Sequence, residues 1–158
     1  MGLIVLDARV LIAFSQRGHL HHPQAVQLLA SADAQFAVNA VTMAEYLIKP
    51  AQLGRDIQAD LRRLCQAASI RVVGEAELEA AAAWSVRLAR TRAETGLKMP
   101  DTIVLATAEA LDGQVATFDQ TLRAAAQARQ RLWEPSLCPQ IGPLVSDPNG
   151  SPDGSRRV

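Results

Sequence analysis

At 158 residues the chain has the length of one domain, enough to bury a core without disulfides. Its 49% hydrophobic content is ordinary for a globular protein, and only 4% aromatic residues argues against a platform on which nucleobases stack. Sixteen basic residues balance sixteen acidic ones, so no whole-molecule field draws in a polyanion; nucleic-acid binding would need a local cluster or a bound metal.

Leu3-Ile4-Val5-Leu6 is a continuous apolar run, as in a strand buried on both faces, and Asp7 closes it. A polar loop then leads to Pro23, a suitable first helical residue, after which Ala25, Val26, Leu28, Leu29 and Ala32 fall at helical spacing. Residues 36–39 predict a second strand and 42–48 a helix, broken by Pro50 and Gly54 before another helix over 55–68. Residues 70–73 form a third strand ending at Gly74. One long Arg-studded helix over 75–95 stops at Gly96. A helix over 101–111, a strand over 115–118, a helix over 121–130 and a weak fifth strand at 132–134 complete the pattern. Short apolar strands alternating with helices predict an α/β fold with a parallel sheet, in which ligands gather beyond the carboxyl ends of the strands.

From residue 139 onward, four prolines and three glycines replace apolar periodicity, which predicts a folded domain over 1–138 and a flexible tail over 139–158. Cys65 and Cys138 lack metal-ligand spacing and read as reduced thiols. The Ala-rich stretch 80–84 is too short to span a membrane. Met1-Gly2 opens into a strand without a basic leader, so the expected location is cytoplasmic.

Four acids stand at element boundaries: Asp7, Glu45, Asp101 and Asp119. Each has a structural alternative. Thr42-Met43-Ala44-Glu45 fits a capping box, Asp101 after Pro100 complements a helix dipole, Asp119 suits an N-cap, and Asp7 has Arg9 as a candidate salt-bridge partner. Together they point elsewhere. Two carboxylates about 5 Å apart repel by roughly 3 kcal/mol at an effective dielectric near 20, so four need a cation. Oxygen donors suit Mg²⁺ or Mn²⁺, ions that stabilise a phosphodiester and activate water. Arg9, Thr117 and Lys98 are candidate substrate contacts, and Ser15 is a further polar candidate. His19, His21 and His22 lack the companions of a metal cluster. Arg87, Arg90 and Arg92 read as a solvated basic face, with phosphate contact or a helix partner as the sharper alternative. No phosphate-binding glycine loop, serine-hydrolase elbow or D-x-D pair occurs.

These segments resemble the PIN-domain nucleases, and among them the VapC-type toxins of toxin–antitoxin pairs. Leu6-Asp7-Ala8-Arg9-Val10-Leu11-Ile12 looks like the family's opening strand and first acid, and Thr42-Met43-Ala44-Glu45 resembles the segment carrying the second. Pro100-Asp101-Thr102-Ile103-Val104-Leu105-Ala106 is the most specific likeness, and Ala116-Thr117-Phe118-Asp119 is similar to the fourth. The resemblance implies a three-layer sandwich around about five parallel strands, with Asp7, Glu45, Asp101 and Asp119 binding Mg²⁺ or Mn²⁺ for RNA cleavage. It also implies a homodimer and a VapB-like antitoxin, for which an apolar groove between helices over 25–32 and 42–68 is the expected seat. Arg9 and Ala8 depart from the small polar residues usual after the first acid. The alternative is a non-catalytic module binding RNA or antitoxin, with Arg9 replacing the metal's charge.

Overall fold

The computed structural model describes residues 2–31 and 33–134; the expected tail and Cys138 lie outside the described residues. Four parallel strands form the central sheet in the order β3-β2-β1-β4: β1 (Gly2–Leu6), β2 (Ala34–Asn39), β3 (Ile70–Val73) and β4 (Gln114–Ala116). The register sets Ile4 beside Phe36, Val5 beside Val115 and Val38 beside Val72. The expected fifth strand is reduced to one parallel bridge between Val115 and Leu132.

Alternation along β1 explains its unbroken apolar sequence, because both faces of the strand are covered. Ile4 and Leu6 join Val10, Leu11, Phe36, Val38, Tyr46 and Leu64 in one core. Val5 points the other way, into a second core with Leu97, Val104, Leu105, Val115 and Leu122. The first core is covered by α1 (Ala8–Ser15), α2 (His22–Leu29), α3 (Ala40–Gln52) and α4 (Ile57–Ala68), and the second by α7 (Met99–Ala110) and α8 (Gln120–Ala128). Residues 102–108 are all buried, so α7 is an interior helix, which explains a sequence apolar on nearly every side.

Several expected boundaries are corrected. The loop expected between Asp7 and Pro23 begins as α1, whose Val10, Leu11 and Ala13 are fully buried, and the opening strand ends at Leu6. Helix α3 starts at Ala40, capped by Asn39, and runs through Pro50 to Gln52. Pro50 does not break it, because tertiary packing buries the ring and outweighs the loss of one amide. The single long helix is two: α5 (Glu75–Leu78) ends at Glu79 in extended backbone, and α6 (Ala81–Thr95) follows. Gly96 closes α6 at φ +68°, a left-handed conformation that glycine adopts without penalty.

Ser15 ties α1 to α3 through a 2.8 Å hydrogen bond with Tyr46 Oη. Arg87 of the basic face is committed to Glu79, Nε donating at 2.8 Å. Cys65 is a free, partly buried thiol. No helix among the described residues is long and apolar enough to cross a membrane.

Candidate active site

Chain direction alone brings Asp7 and Thr117 together. In a parallel pair all strands end on one side, and the Asp7 amide donates to Ala116 O at 3.1 Å, carrying the β1–β4 ladder one residue past the sheet. One residue further, Thr117 Oγ1 donates to Asp7 Oδ2 at 2.7 Å and accepts from the Asp119 amide at 2.9 Å. A single buried hydroxyl thus joins the first and last acids. Thr117 was expected only as a peripheral substrate contact; the structure gives it the linking position.

Asp7 is 5% exposed. Burial raises its pKa above the ordinary carboxylate value, and the Thr117 hydroxyl, the amides of Arg9 and Ala8 and the Arg9 charge only partly offset this. Glu45 is half-buried in the second turn of α3. Burial raises its pKa too, followed by repulsion from Asp7 and then Asp101. The capping box does not form: Asn39 Oδ1 accepts from the Val41 amide at 2.9 Å, while Thr42 lies inside the helix with its buried hydroxyl unpartnered among the described residues. Glu45 is therefore free of the duty that its sequence context suggested.

Asp101 occupies the first turn of α7, where it complements the helix dipole, and makes no side-chain cap. Burial is again the main cause of its raised pKa, then Asp119 and Asp7, against Arg9 and Lys98. Lys98, the residue preceding α7, is thus near enough to act on Asp101. Asp119 does cap α8: Oδ1 accepts from the amides of Thr121 at 2.8 Å and Leu122 at 3.0 Å. Its other oxygen, Oδ2, meets Arg9 Nη2 at 3.0 Å. Arg9 therefore makes its ion pair with Asp119, not with Asp7 as its sequence position suggested, although its charge still acts on Asp7.

These mutual effects place the four carboxylates in one electrostatic neighbourhood, though no three His, Cys, Asp or Glu side chains among the described residues form a ready metal cage. Buried carboxylates that repel one another and hold their protons more tightly are the donor chemistry that a hard cation relieves. The oxygen donors present suit a hard divalent cation.

The missed contributor is Asn39. It is 1% exposed, and its Nδ2 donates to Thr107 Oγ1 of α7 at 3.1 Å, fixing the start of α3 against the helix that carries Asp101. A polar residue ending an apolar strand was the available signal. The histidines do not gather as ligands: His22 Nδ1 meets Ala13 O at 2.8 Å, and His21 stacks on Phe118 with ring centroids 4.5 Å apart. A groove of about 790 Å³ runs along α2, but it faces β4 and Trp133 rather than α3 and α4. Val26, Ile48 and Ile57 nonetheless leave apolar side chains exposed on α2, α3 and α4.

A family model described as "PIN domain" matches residues 4–128. The chain belongs to the PIN-domain family. No curated protein matches it significantly. Among solved structures, this PIN domain is similar to a toxin–antitoxin complex from Klebsiella pneumoniae, with 24% identity, 73% of this chain and 86% of that chain covered, and a TM-score of 0.55. VapC20 of Mycobacterium tuberculosis, a toxin that cleaves the sarcin–ricin loop, gives 19% identity, coverage of 77% and 94%, and a TM-score of 0.55. VapBC2 from Rickettsia felis, bound to a DNA fragment from its promoter, gives 13%, 78% and 92%, and 0.56. At these identities the likeness is one of fold.

Proposed function

We propose that this PIN domain is a cytoplasmic, Mg²⁺- or Mn²⁺-dependent endoribonuclease, the toxin of a VapBC-type pair. What supports the proposal is that Asp7 and Asp101 act on Glu45, and Asp119 and Asp7 on Asp101, although the four acids come from separate segments of the chain. Asp7 and Asp101 would bind the cation, with Glu45 and Asp119 completing the site directly or through water. Bound there, the ion supplies a Lewis acid for a phosphodiester oxygen and acidifies a water.

The chain's own groups divide the remaining work. Thr117 orients Asp7 and favours its charged form by donating to Oδ2, partly offsetting burial. Glu45, half-buried and with raised proton affinity, can accept a proton from an attacking water. Lys98 and Arg9 offer positive charge to the phosphate. A VapB-like antitoxin and a homodimer are the expected assemblies; the structural relatives that are toxin–antitoxin complexes support the former.

Asp7→Asn and Asp101→Asn are each expected to abolish metal-dependent cleavage of RNA while circular dichroism shows an unchanged fold. Cleavage retained by both variants overturns the proposal. The second reading, a binding module without catalysis, is favoured by the Arg9–Asp119 pair, which supplies positive charge without a metal. It requires that Mn²⁺ titration show no affinity dependent on the carboxylates.

A further inference from the structure

Asp119 spends its two oxygens differently. Oδ1 is committed to the amides that start α8, so a cation can be met only by Oδ2. That oxygen is paired with Arg9, whose side chain is 63% exposed and anchored from the second residue of α1. The same guanidinium also lowers the proton affinities of Asp7 and Asp101. Among the described cations it is thus the one acting on three of the four acids, with Lys98 acting on Asp101 alone.

We propose that Arg9 is a resident counter-ion of the acidic cluster, holding Asp119 Oδ2 in the metal-free protein and yielding it when a divalent cation binds. This inference rests on the proposed metal site and adds what sets its affinity. A guanidinium and a divalent ion draw on the same oxygen's electron density, so the Arg9 contact opposes loading of the site through Oδ2. Exposed pairs of this kind are weak and readily broken, which makes Arg9 a removable charge, not a structural strut. Its effect is to raise the divalent concentration at which the site fills, while the metal-free carboxylates remain partly neutralised.

Mn²⁺ titration of the full chain, following the electron paramagnetic resonance signal of free ion, tests this. Arg9→Ala is expected to bind Mn²⁺ roughly tenfold more tightly than the unchanged protein, a coupling of ordinary size between two linked sites. Arg9→Lys, which keeps the charge, is expected to lie close to the unchanged protein. In an Asp119→Asn background the gain from Arg9→Ala should shrink markedly, since the pair is already broken. Because the Arg9 side chain is mostly in solvent, the variants should fold, and their circular dichroism spectra check this. Equal or weaker Mn²⁺ binding by Arg9→Ala overturns the inference alone and leaves the metal site standing. Absence of Mn²⁺ binding in every variant overturns both.

Discussion

Thr117 Oγ1 donates to Asp7 Oδ2 at 2.7 Å across 110 residues of sequence, and the same oxygen receives the Asp119 amide. The hydroxyl favours the charged form of a carboxylate that burial alone would neutralise. Thr117→Val keeps the shape and removes the donor. It is expected to destabilise the fold by about 1–2 kcal/mol, as for a buried acceptor left unpaired, and to lower cleavage of a defined oligoribonucleotide. Thr117→Ser should restore both. Full activity in the valine variant would show that Asp7 needs no such support.

The acidic cluster also sets a pH dependence. Asp7, Glu45 and Asp101 have folded pKa values raised above 3.8, 4.5 and 3.8 respectively, chiefly by burial. As pH rises past those values, the unfolded chain loses its protons first, so these groups cost stability above their folded pKa values. Asp60 has the opposite sign: burial pushes its pKa up, but Arg63 and Arg55 together outweigh this and hold it below 3.8, so its contribution is lost only as pH falls through that lower folded value. In a chelator, the melting temperature is therefore expected to rise as pH is lowered through the folded pKa values of these groups. Asp7→Asn should flatten that rise, and excess Mn²⁺ should raise the melting temperature near neutral pH in the unchanged protein. A melting temperature that falls steadily over the same range would contradict this balance.

Asn39 supports the site without touching it. Substitution by alanine removes the cap of α3 and the buried bond to Thr107 together. The expected loss in urea unfolding is about 2–3 kcal/mol, the sum of a cap and a buried hydrogen bond. Because the bond joins the helices bearing Glu45 and Asp101, cleavage should fall as well. A stability change below the size of one cap would mean that water replaces both contacts.

Much of this molecule is local in origin. The continuous apolar run at Ile4–Leu6, the short strand Ile70–Val73, the left-handed stop at Gly96 and the Asp119 cap follow from side-chain chemistry within a few residues, and each was legible in the sequence. The acids were legible as candidates for the same reason, since a carboxylate at the end of a buried strand demands a partner. Helix α1 and the passage of α3 through Pro50 were not, because burial against the sheet overrides the polar flanks and the missing amide. Nor could spacing choose among the partners of Arg9, decide that Asn39 and not Thr42 caps α3, or put one hydroxyl between Asp7 and Asp119. Those choices depend on which strand ends lie side by side, and only the packed sheet sets that.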